Sequence, residues 1–193
     1  MVTWRATRLI GLLSVLVVGG CTRACNAPEE LQPRGLAVGS PSDGTIALVV
    51  TPELRAARWQ ESIKDDTSVA ELGEPLIENS RRMLEGMFRT VRVVPSASPI
   101  PGVSFYVMPT MHYIAHADAA WAFGDQIFIM KLEWRVINDS GETVFIDNIV
   151  GEARGITGNI FTYQGDTRRV LLRLVDDTFA KSRESLAPVL KGG

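Results

Sequence analysis

The chain has 193 residues, with 20 basic and 22 acidic side chains, a formal charge of −2, 46% hydrophobic residues, two cysteines and two histidines. That length fits one domain with a tail, and the hydrophobic fraction excludes wholesale disorder or a fibrous repeat. The lack of a basic excess speaks against nucleic acid as a partner, and two cysteines cannot build a disulfide scaffold.

Residues 1–20 read as a secretory signal peptide. Arg5 and Arg8 form a positive n-region, Leu9–Val18 is an uncharged apolar run, and the small Gly19 and Gly20 precede Cys21. The run is too short to span a bilayer, which takes roughly 20 residues. The positive mean hydropathy of +0.09 originates here, and without this segment the chain is mildly hydrophilic. Val18-Gly19-Gly20-Cys21 resembles the bacterial lipobox, in which an aliphatic residue and two small ones precede a cysteine whose thiol receives a diacylglycerol before cleavage. The resemblance implies a covalent diacylglycerol and an N-acyl lipid on Cys21, no other cofactor, and a membrane held through that lipid. Thr22 follows in place of aspartate, which by the same resemblance implies the outer membrane of a Gram-negative bacterium, facing the periplasm. Acyl chains contribute about 0.8 kcal/mol per buried methylene, enough to anchor without a basic patch. Cys25 is the competing acceptor, but Arg23 two residues before it spoils the pattern. It reads as a tether thiol, free or disulfide-bonded.

Residues 21–44 are rich in proline and glycine and read as a flexible tether, which leaves 45–193 for a single domain. Thr45–Thr51 is a β-rich apolar run stopped by Pro52, suited to a strand buried on both faces. Residues 53–67 are ambiguous between a short helix and an extended flap. A helix follows, with Ser68 and Glu71 offering a capping box and Pro75 favouring a start near Glu74. Its apolar stripe runs Leu76, Ile77, Ser80, Met83, Leu84, Met87 and Phe88.

Val91–Val94 is a short strand before the breaker-rich Pro95–Gly102. Val103–Ala117 then presents Val103, Phe105, Val107, Met111 and Tyr113 on one face. Gln126–Ile137 alternates Phe128, Met130, Leu132, Trp134 and Val136 against Lys131, Glu133 and Arg135. Asn138–Gly141 is a turn with glycine at a left-handed position, and Glu142–Ala153 returns as the partner strand. A helix over Thr167–Leu190 closes the chain. The order β-α-β-β-β-β-α predicts an α+β domain, a mostly antiparallel sheet with two helices packed on one face.

The segment GEPLIENSRRMLEGMF followed at once by VRVV, the hairpin WRVINDSGETVFIDNIVGEARG and the closing helix, together with lipobox and tether, resemble small proteobacterial envelope lipoproteins. These include the lipopolysaccharide-assembly lipoprotein, YajG-like lipoproteins and auxiliary lipoproteins of envelope transport systems. The resemblance spans Thr45–Leu190 but lies in hydrophobic pattern and turns, so only Cys21 carries a role across. It implies a membrane-anchored accessory or assembly subunit with an envelope protein as partner.

No catalytic constellation is legible. His112 and His116, with Asp118 beyond, would suit a metal on a helix. On a strand they share a face roughly 13 Å apart, too far for one ion, so no metal site is expected. There is no Gly-x-Ser-x-Gly elbow, and a hydrolase would need His112 or His116 to meet a serine or carboxylate in a cleft. Asp65-Asp66 and Asp176-Asp177 read as solvated charge, and Gly151, Gly155 and Gly158 do not form a phosphate-binding loop. Trp59, Trp121 and Phe123 are the candidate partner-binding side chains, since exposed aromatics anchor interfaces. The expectation is a non-enzymatic subunit acting through protein contacts, with an edge strand or aromatic patch left open. The alternative is a lipid or glycan carrier holding its ligand between helices and sheet, which requires a sizeable apolar cavity.

Overall fold

The computed structural model describes residues 22–24, 41–63, 66–118, 125–156 and 163–191. In chain order the elements are β1 (Thr22–Ala24), β2 (Ser42–Val49), α1 (Pro52–Arg55), β3 (Arg58–Ile63), β4 (Asp66–Glu71), α2 (Gly73–Glu85), β5 (Phe88–Val94), β6 (Phe105–Asp118), β7 (Asp125–Asn138), β8 (Thr143–Ile156) and α3 (Tyr163–Lys191). Five strands form a sheet in the order β5-β2-β6-β7-β8. Its β2 runs parallel to both neighbours, while β6–β7 and β7–β8 are antiparallel. The fold is therefore α+β, with a mixed sheet whose long ladders are the antiparallel ones.

One face of this sheet carries the core. The apolar run of β2 buries Ile46 and Leu48, and β7 buries Phe128, Met130, Leu132, Trp134 and Val136. The stripe of α2 supplies Leu76, Met83 and Leu84, and that of α3 supplies Leu171, Leu174, Phe179, Leu186 and Leu190. Polar members of the stripes turn their hydroxyls inward: Ser80 donates to Leu76 O, Thr178 to Leu174 O and Ser182 to Thr178 O, each at 2.7 Å. Trp134 Nε1 in turn donates to Ser182 Oγ at 2.7 Å, so the largest buried side chain of β7 leaves no indole N–H unpaired.

Two glycines of β8 bring α3 onto the sheet. A Cβ at Gly151 would lie 1.8 Å from Thr178 Oγ1, and one at Gly155 would lie 2.1 Å from Val170 Cγ2. At Gly151 the helix backbone itself comes to 3.1 Å, at Gly155 the Val170 side chain fills the space, and no room for a ligand remains between α3 and β8 at these two positions.

Several expectations are corrected. The first long strand begins at Ser42, and Thr22–Ala24, within the expected tether, pair in parallel with β4 at Thr67–Val69. The ambiguous stretch resolves into α1 and the β3–β4 hairpin. Ser68 and Glu71 belong to β4, and α2 starts two residues before Pro75 with Leu72 at its N-cap. The N–H groups of Leu72 and Gly73 are satisfied instead by Ala57 O, at 2.9 and 3.0 Å. The turn after β7 follows the pattern, with Gly141 at φ 86° and its N–H donating to Asn138 O.

The largest correction concerns β6. Its register against β7 shifts between Met111 and Tyr113. Phe105, Val107 and Met111 pack toward the core, but beyond the bulge the parity inverts: Ile114 faces inward and Tyr113 lies 47% exposed on the opposite side. Pro109 falls just past the β2 ladder, which pairs only Phe105–Val107 of β6, so its missing N–H interrupts no pairing on that side.

Candidate interaction surface

Helices cover one face of the sheet, and among the described residues the other face is covered at one end alone. There the loop 95–104 folds over Ala47, Val49 and Tyr106, with Ile100 N donating to Tyr106 Oη at 2.5 Å. Toward the far ends of β6, β7 and β8 no described residue covers this face. Tyr113 of β6 and Ile146, Val150 and Ile156 of β8 are exposed, the last at 73%. Ile127 and Ile129 of β7 are half-buried between them. Exposed β-branched and aromatic side chains on one surface make it the candidate for association.

Charge on this face is arranged in pairs. Glu133 of β7 accepts from His112 Nε2 at 3.1 Å with one carboxylate oxygen and from Arg135 Nη2 at 3.2 Å with the other. These two donors, His112 foremost, hold the Glu133 carboxyl below the usual carboxylate range, against the opposing pull of desolvation. Arg154 bonds Glu152 at 2.8 Å on β8. Lys131, one strand repeat from Glu133, has no acidic partner among the described residues.

The β8 edge is closed, by contrast, by a row of α3 side chains at four-residue spacing. Arg173 Nη1 donates to Arg154 O at 3.5 Å, Glu152 N donates to Asp177 Oδ2 at 2.9 Å, and Lys181 Nζ donates to Val150 O at 3.1 Å. Ser185 continues the row by donating to Asp147. A strand approaching this edge would find Val150 O, Glu152 N and Arg154 O already bonded to α3. Asp177, read from sequence as solvated charge, is thus an edge cap, and it also accepts from Lys181 at 2.7 Å.

The residues singled out from sequence fall elsewhere. Trp59 is corrected from an exposed anchor to a core residue: it is 4% exposed, with its ring 5.5 Å from Phe128 and 6.1 Å from His116, edge-on to both. The reason is the β3–β4 hairpin, which lays Trp59 across the far end of β6 and β7. Cys21, Cys25, Trp121, Phe123, Asp65 and Gly158 lie outside the described residues. His112 and His116 do not share a face as expected. The bulge sends His112 to Glu133 on the open side and stacks His116 on Phe128 at 4.2 Å on the core side, so the sheet separates them. Among the described residues no group of three or more His, Cys, Asp or Glu side chains is placed to hold a metal. The open face itself was not legible beforehand, though the alternation in β7 carried a signal: its outward positions include Ile127, Ile129 and Ile137 beside the charged ones.

No protein-family model matches the chain, and no curated protein matches it. Among solved structures it is similar to a candidate lipoprotein from Caulobacter crescentus CB15, with TM-score 0.45 and 14% identity over 62% of this chain and 83% of that one. It is also similar to the Xanthomonas campestris protein XCC0632, of family DUF330, with TM-score 0.49 and 9% identity over 86% and 92% of the two chains. A third similarity is to a dodecameric variant of PelC from Paraburkholderia phytofirmans, with TM-score 0.34 and 13% identity over 72% and 92%.

Proposed function

We propose that this chain is a bacterial envelope lipoprotein, anchored by lipid on Cys21 to the outer membrane and facing the periplasm, and that it serves as a non-enzymatic accessory or assembly subunit. Its work is done by protein–protein contact through the open face of β6–β8. The observation that carries this reading is the exposure of Tyr113, Ile146, Val150 and Ile156 on a face whose neighbouring edge is sealed. Contact across a face, not strand addition at the β8 edge, is the mode that this arrangement supports. The sequence Val18-Gly19-Gly20-Cys21 supports the anchor.

Mass spectrometry of proteins crosslinked in cells to the full-length chain tests the reading. An envelope protein captured with the native chain, and lost with Ile146→Asp, is the expected result. Capture unaffected by that substitution overturns the assignment of the face. The anchor is tested separately: Cys21→Ala abolishes lipid labelling and signal cleavage, and unchanged labelling refutes it.

A further inference from the structure

We infer that the domain is seated on the lipid bilayer by one pole. The turn end of the β3–β4 hairpin and the far end of β6–β8 lie at the headgroups, and the strands of the large sheet lead away from the membrane. The inference rests on the reading of Cys21 as the lipidated residue and adds the orientation of the domain and its own contact with lipid.

Strand β1 carries the argument. Cys21 is bonded to Thr22, which pairs with Thr67 of β4, and Thr67 pairs in turn with Ser62 of β3. Because β1 runs parallel to β4, the chain enters β1 from the Asp66 side, the turn end of the hairpin. Trp59, three residues before Ser62, packs edge-on to His116 and Phe128, close to the end of β6 at Asp118 and the start of β7 at Asp125. Three residues along a strand and two strand spacings across put Thr22 about 14 Å from Trp59, so one further residue keeps Cys21 within about 18 Å of it. A free tether over residues 22–44 could instead stretch to roughly 75 Å. Residues 25–41 join β1 to β2, so the link from lipid to folded chain is the single peptide bond between Cys21 and Thr22. Ile156, paired with Asp125 at the same pole, is 73% exposed and gives the seat an apolar contact. Arg154, two residues before it, is already bonded to Glu152, so acyl chains and apolar contact hold the seat without anionic lipid. The opposite pole, the turn after β7, lies about 45 Å away along that strand and presents the exposed Asp139 and Glu142. Tyr113 and Val150 stand three residues, about 10 Å, from the level of His116 and Phe128, so a partner on that face is met next to the membrane.

Full-length chain purified from membranes and reconstituted in phosphatidylcholine vesicles tests the inference. In a Cys25→Ser background, a fluorophore is attached at Ile156→Cys or at Asp139→Cys, and its quenching by a nitroxide carried on lipid headgroups is measured. Quenching from Ile156→Cys is expected to exceed that from Asp139→Cys at least about threefold, given the length of the strands between them. A flexible Gly-Ser segment of about 40 residues, with an r.m.s. span of about 35 Å, inserted between Cys21 and Thr22 lowers the Ile156→Cys quenching at least about threefold. The same segment inserted between Glu30 and Leu31 leaves it within about 1.5-fold, because β1 still holds the lipid at the hairpin. Equal quenching from the two probes, or two insertions that act alike, overturns the inference. Lipid labelling of Cys21 in the same samples separates the two failures. A labelled chain with equal quenching keeps the anchor and loses the seat, whereas an unlabelled chain removes both.

Discussion

At the scale of single residues, the fold depends on a few polar groups turned inward. Ser182 is fully buried between Trp134 Nε1, from which it accepts, and Thr178 O, to which it donates. Ser182→Ala leaves the indole N–H buried without a partner, and the expected loss is about 1–3 kcal/mol in urea unfolding. Gly151 is tighter still, because its added Cβ would meet Thr178 at Oγ1 and, at 3.1 Å, at the helix backbone itself. Gly151→Ala is expected to cost about 1–3 kcal/mol by the same assay, while Gly141→Ala strains a positive φ in open space and leaves helix–sheet packing intact. Neither role of serine or glycine is legible in a stripe of letters. Ser182 reads there as a polar interruption in a buried stripe, and Gly151 as a loosened strand, until the two elements are brought together.

At the scale of elements, α2 and α3 use charge differently. On α2, Glu78 accepts from Arg81 and from Arg82 Nε at 2.6 Å, and Arg81 also bonds Glu85. The Arg81 hydrogen bond, with help from Arg82 and against some desolvation, holds Glu78 down to about 2 from 4.5. A carboxyl lowered in the folded state stabilises it fully above the unfolded value, and that contribution is lost as pH falls from about 4.5 toward about 2. Stability measured across that window is expected to fall less steeply in Glu78→Gln than in the native chain. An equal slope would show that the triad contributes nothing, as exposed pairs often do.

On α3, Asp177 caps β8. Asp177→Ala is expected to cost on the order of 1 kcal/mol and to raise concentration-dependent light scattering, since Glu152 N is then offered to any passing strand. Among the elements, β7, the Asn138–Gly141 turn and the two long helices follow directly from periodicity. The bulge at Met111–Tyr113 does not, because no glycine or proline occupies it and the apolar letters satisfy either parity. The β3–β4 hairpin also escapes, since its short and largely polar strands are ordered by Trp59 docking on Phe128 and His116, a tertiary contact.

At the scale of the whole molecule, one face is filled by helices, α3 caps part of the β8 edge, and the described residues leave one end of the other face uncovered. Packing against α3 at Gly151 and Gly155 is close, which weakens the case for a carrier with its ligand between helix and sheet. Tyr113, Ile146, Val150 and Ile156 lie on the outside, where a macromolecule can reach them. The lipid anchor proposed at Cys21 would complement such a surface by confining the chain to a membrane, where a modest interface is occupied more fully than in free solution. The measurement that bears most directly on this is in-cell photo-crosslinking of the full-length chain with a photoreactive side chain placed at Val150, on the open face, or at Arg168, exposed on α3. The expected result is a discrete adduct from Val150 with an identified envelope protein, and none from Arg168. No adduct from Val150, or equal adducts from both positions, would contradict a function exercised through that face.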